Sequence, residues 1–209
     1  MSSPTTITPV LVADLAVGDG RMPVYAYIIE HAQARVLVDT GIKELHPAVA
    51  DMDPRLRTWL PGVDVASIDI VVNTHLHFDH CGGNFSFAGR PVHVQRQELD
   101  DALTLDNYTL REWVEAPGVR YVAVDGEAEL LPGVRLVPAP GHTRGSQVVV
   151  VETGAGPAVI GGDVAVWFGE LDEPSTVGQH LVRSLEPAVV WLAHEHEAWP
   201  RRDRPQLGK

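Results

Sequence analysis

The segment richest in reactive side chains is NTHLHFDHCGG, which places three histidines and an aspartate within six residues. It directly follows the apolar run 70–72, a pattern typical of a buried strand. In an extended backbone, side chains two residues apart face the same side, so His75 and His77 can offer their imidazoles to one ion. A turn immediately after them would direct Asp79 and His80 toward a second ion. Because zinc takes imidazole and carboxylate ligands, the segment predicts a metal site.

Three further candidate ligands follow other apolar runs. His142 lies in the turn PGHT, Asp163 closes the run AVIGGD, and His194 ends the run VVWLAH. Taken singly, His142 and Asp163 are better interpreted as a surface histidine and a turn aspartate. His196 competes with His194, which we favour because it lies at the strand end. Four separate strand ends each deliver a metal-competent side chain, and coincidence is a poor explanation for that repetition. The carboxylate of Asp163 can also bridge two ions.

The other histidines and the single cysteine lack such a context. His31, His46, His93 and His180 lie in turns or amphipathic segments, so we interpret them as structural or solvated. Cys81 adjoins the metal segment but, as a lone small residue, is expected to pack. One cysteine also excludes an internal disulfide and a cysteine-based zinc finger. Metal binding is therefore left to histidine and carboxylate.

Short strands must position these side chains, because the candidate ligands all follow runs rich in β-branched residues. The predicted strands cover residues 10–15, 24–30, 36–38, 70–73, 92–94, 121–124, 134–137, 148–152, 159–161 and 189–193. The predicted helices cover residues 54–60, 95–103, 110–114 and 176–185. Strands and helices mixed in this order predict an α+β fold of two packed sheets flanked by helices.

Length and composition are those of an ordinary globular protein. The chain has 209 residues, of which 44% are hydrophobic, and no run is long and apolar enough to span a bilayer. We expect one domain over residues 1–209, with residues 200–209 as a flexible tail. The first ten residues show neither the basic nor the apolar region of a secretory signal, so we expect a soluble, cytoplasmic protein.

The chain is strongly acidic, with a formal net charge of −12. A surface of this sign repels nucleic acid and anionic membranes, so neither is an expected partner. Divalent cations in a carboxylate-containing site would offset part of the charge. The charge therefore disfavours polyanionic partners and is consistent with bound metal ions.

The ligand order resembles that of a known family. The motif HxHxDH, followed by a single histidine, an aspartate and a histidine, is similar to the dinuclear hydrolases of the metallo-β-lactamase superfamily. Within it the chain is most similar to the N-acyl homoserine lactonase group, through MPVYAYIIEH, VLVDTG, NTHLHFDHCGGN, VHVQRQEL, LPGVRLVPAPGHTRGSQ, GGD and AHEHEAW. The resemblance covers residues 10–199. It implies a four-layer αββα sandwich, the metallo-β-lactamase fold, with metals at one edge.

The resemblance also implies two divalent metal ions. The first ion would be held by His75, His77 and His142, and the second by Asp79, His80 and His194, with Asp163 and a hydroxide bridging them. Zinc is the expected metal, and iron or manganese stays open. Asp39 in the VDTG turn matches a residue that supports the ligands, which need orienting partners.

The implied activity is that of a hydrolase acting on a small molecule with an ester or lactone carbonyl, which the bridging hydroxide would attack. Asp79 matches a residue that relays a proton to the leaving group, so it is the expected catalytic residue. Family lactonases carry a tyrosine three residues after the bridging aspartate, where this chain has Val166. Trp167 and Phe168 are candidates for an apolar wall beside an acyl chain, with core packing as the alternative.

Several other functions share these ligands and stay open. They are a thioesterase or phosphodiesterase of the same superfamily, a mononuclear iron persulfide dioxygenase, and a non-catalytic metal-binding relative. Metal content separates the dioxygenase from the hydrolases, because imidazole and carboxylate ligands suit iron as well as zinc. A homodimer also stays open, because relatives dimerise while no apolar stripe in this sequence predicts an interface.

Overall fold

Two β-sheets form the framework of the computed structural model, which describes residues 5–200. The strands in the first part of the chain are β1 (Thr6–Val17), β2 (Gly20–Glu30), β3 (Arg35–Val38), β4 (Gly41–Ile42), β5 (Arg55–Leu56), β6 (Ile70–Val72), β7 (Pro91–Gln95) and β8 (Arg120–Val124). All but β4 form a seven-stranded sheet in the order β5-β1-β2-β3-β6-β7-β8. Since β3, β6, β7 and β8 run parallel, their carboxyl ends share one edge.

The remaining strands form a second, six-stranded sheet. They are β9 (Ala128–Leu131), β10 (Val134–Pro138), β11 (Gln147–Thr153), β12 (Gly156–Ile160), β13 (Val189–Trp191) and β14 (Trp199–Pro200). Their order in the sheet is β14-β13-β12-β11-β10-β9. Neighbours pair antiparallel except β12 and β13, which are parallel and therefore end at the same edge.

Short helices cover the outer faces and carry parts of the loops. They are α1 (Phe78–Cys81), α2 (Arg96–Thr104), α3 (Arg111–Val114), α4 (Gly169–Asp172) and α5 (Val177–Ser184), with 3-10 turns at Pro47–Met52, Val65–Ser67 and Asn84–Phe87. The start of α5 is fixed by a capping box, in which Thr176 and Gln179 bond each other's backbone N–H groups. Within residues 5–200, no helix has the length and apolar character needed to cross a membrane.

Apolar residues on both faces of the sheets divide the core into layers. In β2, Tyr27 and Ile29 face the second sheet, whereas Ala26 and Ile28 face the outer layer, as a period of two requires. The core between the sheets contains Tyr27, Ile29, Val36, Val38, Val72, Val134, Leu136, Val149, Val151, Ala158 and Ile160. On the far face of the second sheet, Val182 of α5 packs against the strands. This arrangement confirms the predicted αββα sandwich.

Most predicted elements are present with displaced ends. All ten predicted strands overlap observed strands, and the predicted helices 95–103, 110–114 and 176–185 correspond to α2, α3 and α5. The predicted tail over residues 200–209 lies outside the described residues, apart from the backbone of residue 200. The assignment of residues 1–209 to one domain stays a prediction.

The predicted helix over residues 54–60 is wrong. Strand β5 lies inside this range and pairs with β1. The guanidinium of Arg57 then donates to the carboxylate of Asp14, and the indole of Trp59 donates to the carbonyl of Thr40. Pairing with distant parts of the chain thus outweighs the local helical pattern.

We expect Ile29→Ala to lower the free energy of unfolding by about 2–5 kcal/mol, because it leaves a cavity in the core between the sheets. The side chain of Ile29 is 0% exposed. The matched control is Val17→Ala, at a position 51% exposed on the same sheet, where a change within about 0.5 kcal/mol is expected. Urea denaturation measures both variants. Equal losses would contradict the assignment of Ile29 to the core.

Candidate metal centre

Four strand ends bring the predicted ligands to one place. His75 lies in the loop after β6, His142 follows β10, Asp163 follows β12 and His194 follows β13. The ligand atoms form three overlapping groups, each within 4.8 Å: His75, His77 and His142; His75, His80 and Asp163; and Asp79, His80 and His194. All seven predicted ligands therefore belong to one cluster.

The first group consists of three imidazoles. Nδ1 of His77 lies 3.1 Å from Nε2 of His75 and 3.0 Å from Nε2 of His142. His75 is buried, whereas His142 lies at the surface. Three ring nitrogens thus converge on one point, which is the arrangement that a shared cation requires.

The second group consists of Asp79, His80 and His194, which are all buried. Nε2 of His80 and Nε2 of His194 lie 3.7 and 3.6 Å from Oδ2 of Asp79. Asp163 lies between the two groups. Its Oδ1 is 3.2 Å from Nε2 of His80, and its Oδ2 is 3.2 Å from His194 and 3.4 Å from His142. One carboxylate therefore contacts imidazoles of both groups.

Buried acceptors orient two of the imidazoles. Oδ2 of Asp39 lies 2.8 Å from Nδ1 of His80, and the carbonyl oxygen of Pro23 lies 2.7 Å from Nδ1 of His194. Because these oxygens accept, each Nδ1 carries a proton, which leaves Nε2 of each ring as the atom available to a metal ion. Asp39 also accepts from the backbone N–H and the hydroxyl of Thr74, at 2.7 Å each. These contacts agree with the supporting role expected for Asp39.

Two buried atoms of the cluster, Nε2 of His80 and Oδ1 of Asp163, make no hydrogen bond. They lie 3.2 Å apart but without hydrogen-bond geometry. Buried polar atoms without a partner are rare in folded proteins, and a metal ion would satisfy both. Zinc bonds of about 2.0–2.1 Å place tetrahedral nitrogen ligands roughly 3.3 Å apart, close to the 3.0–3.1 Å separations of the first group. The donor set therefore fits divalent metal ions.

The charges of the cluster attract a cation. Burial opposes the charged form of His80, but Asp163, Asp79 and Asp39 outweigh burial and raise the pKa of His80 well above its usual range. Burial also disfavours the Asp163 carboxylate, yet His80 and His194 hold the pKa of Asp163 well below its usual range. The Asp163 carboxylate thus stays ionised and draws positive charge into the site, as a proton or as a metal ion.

The residues around the ligands were only partly predictable. His196 lies outside the cluster, with Nδ1 3.1 Å from the hydroxyl of Tyr25, which agrees with the preference for His194. Cys81 is buried, and burial raises the pKa of its thiol, as expected for a packing residue. The sequence analysis missed Glu98, which is buried beside the ligand loops. No local motif marks Glu98, because its hydrogen-bond partners lie 10 to 45 positions away.

A cavity of about 450 Å³ opens onto the cluster. Five of the candidate ligands line it, namely His77, Asp79, His142, Asp163 and His194. Its apolar wall is formed by Met22, Val49, Met52, Phe78 and Leu110. Trp167 and Phe168 do not line it, because Trp167 is 59% exposed and folds over Gly169, and Phe168 packs against the core of the second sheet. A polar floor beside an apolar wall suits a small molecule with both kinds of group.

The cluster and the sandwich together match a known family. A family model described as the metallo-beta-lactamase superfamily matches residues 19–199. The chain belongs to the metallo-beta-lactamase superfamily. This match confirms the family that the sequence motifs predict, and with it the predicted fold.

Relatives within this superfamily include N-acyl homoserine lactonases. One from Bacillus cereus is 33% identical over 151 residues, which cover 63% of this chain and 59% of that protein. The N-acyl homoserine lactonase AttM of Azorhizobium caulinodans is 27% identical, with 87% of this chain and 85% of that protein covered. The chain therefore spans about 59% of the length of the Bacillus cereus relative that it matches.

Solved structures share the fold of this chain. An N-acyl homoserine lactone hydrolase, with the product N-hexanoyl-L-homoserine bound at its catalytic metal centre, matches with a TM-score of 0.76 and 24% identity, covering 93% of this chain and 94% of that one. A quorum-quenching N-acyl homoserine lactone lactonase matches with a TM-score of 0.77 and 24% identity, covering 94% and 95%. At this identity the likeness establishes a common metallo-beta-lactamase fold.

We expect zinc to raise the melting temperature of chelator-treated protein by roughly 5–10 °C at a concentration about 100 times its Kd. The reason is that the ion binds the folded arrangement and satisfies the buried atoms of His80 and Asp163. Asp163→Ala should remove most of this rise. Calcium is the control ion and should raise the melting temperature less, because it prefers oxygen ligands to imidazole. Differential scanning fluorimetry measures the shift, and equal responses to the two ions would contradict the site.

Proposed function

We propose that the chain is a dinuclear metallohydrolase that opens a lactone or cleaves a carboxylic ester. The observation that carries this proposal is the position of Asp163 between two groups of candidate ligands beside an apolar cavity. The similarity to N-acyl homoserine lactonases supports the same class of reaction.

The proposed ligand sets follow the geometry of the cluster. One ion is assigned to His75, His77 and His142, the other to Asp79, His80 and His194, and Asp163 is shared. Zinc is the proposed metal, because a mixture of imidazole and carboxylate ligands suits it. When bound, the two ions supply an activated water nucleophile and polarise the substrate carbonyl.

The cavity wall selects and orients the substrate. Met22, Met52 and Phe78 offer an apolar surface to an acyl or alkyl group. With that group on the wall, the carbonyl end of the substrate lies at the polar floor of the cavity, beside Asp79 and Asp163. A small ester or lactone with one apolar substituent is therefore the proposed substrate class.

Asp79 is the proposed proton-transfer residue. It is 6% exposed and lines the cavity, so its carboxylate can reach the reacting atoms. The attacking water loses one proton as it bonds to the carbonyl carbon, and the oxygen that departs when the C–O bond breaks gains one. Asp79 accepts the first proton and gives it to the departing oxygen, which returns Asp79 to its starting state.

Metal content and hydrolysis, measured together, test the proposal. We expect two zinc ions per chain by mass spectrometry and turnover of N-hexanoyl homoserine lactone and phenyl acetate, lost on chelation and restored by zinc. Asp163→Ala should abolish both metal loading and turnover. The control is Asp125→Asn, which removes an exposed ion pair with Arg96 and should change neither.

Two outcomes would overturn this proposal. One iron per chain without hydrolysis would favour the dioxygenase alternative. A fully metallated protein that cleaves no lactone, ester, thioester or phosphodiester would favour a non-catalytic metal-binding relative.

We expect Asp79→Asn to lower kcat for the lactone by about 100-fold or more, because the departing alkoxide then leaves without a proton donor. The loss should be smaller for phenyl acetate, since phenolate is a stable leaving group that needs no proton. Metal content is measured on the same samples, because Asp79 is also a candidate ligand. An equal loss on both substrates at full metal content would contradict the proton-transfer role.

A further inference from the structure

We propose that Glu98 is a positioning residue, which holds together the two segments that carry the first group of imidazoles. This inference rests on the proposed metal site and adds a buried carboxylate outside the ligand set. Its consequence is that Glu98 controls the affinity of one ion and leaves the other ion unaffected.

Three donors from separate segments converge on Glu98, whose side chain is 0% exposed. Its Oε1 accepts from the backbone N–H of Leu76 at 2.8 Å and from the hydroxyl of Tyr108 at 2.6 Å. Its Oε2 accepts from the hydroxyl of Thr143 at 2.6 Å. A buried carboxylate with three donors is satisfied, and its loss removes the acceptor of the buried Leu76 N–H and of the part-buried Tyr108 hydroxyl. The Thr143 hydroxyl keeps a second contact, 2.6 Å from the hydroxyl of Ser146.

Each of these donors is next to a candidate ligand. Leu76 lies between His75 and His77 in the chain, so its N–H fixes the peptide unit between His75 and Leu76. Thr143 directly follows His142. The ring of Tyr108 lies 5.3 Å from the ring of His77, and burial together with Glu98 raises the pKa of Tyr108, so the phenol stays a donor. One side chain therefore sets the spacing between the segments that carry these three imidazoles.

The close approach of the His142 loop to α2 is an independent observation for the same role. A Cβ at Gly145 would lie 2.2 Å from the backbone nitrogen of Glu98, so only glycine allows this contact. Next to it, Arg144 makes a two-point ion pair with Asp101, which also lies on α2. Three consecutive loop residues, Thr143, Arg144 and Gly145, thus contact α2. The hydrogen bond from Thr143 to Glu98 is the contact nearest to His142.

The second group of ligands has different supports. His80 is oriented by Asp39, and His194 by the carbonyl of Pro23. Both supports belong to the first sheet and its loops, whereas Glu98 belongs to α2. Loss of Glu98 should therefore affect the two ions unequally, which a general loss of stability would not do.

The test compares Glu98→Ala with Glu98→Gln in the full chain. Zinc affinity is measured by competition with a chromophoric chelator, which resolves the two binding steps without reference to activity. The visible spectrum of the cobalt-substituted protein reports ligand geometry at each step. Asp125→Asn, which removes an exposed pair with Arg96 at the start of α2, is the matched control.

We expect Glu98→Ala to weaken one zinc step by about 10-fold or more and to leave the other step unchanged. Its cobalt spectrum should change at the weakened step. Glu98→Gln should restore most of the affinity, because its Oε1 still accepts from Leu76 and Tyr108 while its amide donates to Thr143. That rescue separates hydrogen bonding from the charge of the carboxylate.

Three results would overturn the inference. They are wild-type affinity at both steps in Glu98→Ala, an equal loss at both steps, or a Glu98→Gln variant as weak as Glu98→Ala. Failure of the proposed function gives a different result, since the wild-type chain would then either lack two zinc sites or bind zinc without hydrolysing any of the substrates.

If Glu98→Ala does not fold, Thr143→Val provides a second test of the inference. It removes the bond to Oε2 with almost no change in shape, and the same selective weakening is expected at a smaller size. Unchanged zinc affinity at both steps in a folded Thr143→Val protein would also contradict the inference.

Discussion

The rest of the structure depends on the convergence of imidazoles and carboxylates at one mostly buried edge of the sandwich. A cation placed among these groups would satisfy both the nitrogens that approach to 3.0–3.1 Å and the buried carboxylate oxygen without a hydrogen bond. The strands β6, β10, β12 and β13 all end at this edge, next to the candidate ligands. Buried acceptors of Asp39 and Pro23 hold two of the imidazoles in place there.

Two buried carboxylates, Asp39 and Glu98, orient the candidate ligands and the loops that carry them. Asp39 faces His80 and Thr74 on the side of the first sheet, and Glu98 holds the His75–His77 segment and the His142 loop on the side of α2. Each replaces water as the partner of polar groups that the fold buries. Asp163 lies between the two halves and contacts both. Asp39 also reaches the first group through Thr74, whose hydroxyl lies 3.3 Å from Nδ1 of His75, so the two sets of supports meet at this residue.

The cavity decides how such a centre meets a substrate. Its wall comes from residues of the first sheet and the following loops, such as Met22, Met52 and Leu110, so a substrate of the proposed class would place its apolar substituent there and its carbonyl at the polar floor. Val166, at the position where the resemblance to lactonases implies a tyrosine, is 37% exposed and offers no hydroxyl to a substrate carbonyl. Asp79, the residue proposed for proton transfer, lines the cavity.

The sequence by itself predicted ten of the strands, the order of the seven candidate ligands and the family, because apolar runs and the side chains that follow them are local patterns. It could not determine the partners of Glu98, the apolar cavity wall or the strand at residues 55–56, which was predicted as a helix. These features depend on contacts between residues far apart in the chain, such as Leu56 with Ala13 and Thr143 with Glu98. Only folding brings such groups within hydrogen-bond or packing distance, so the tertiary structure alone decided them.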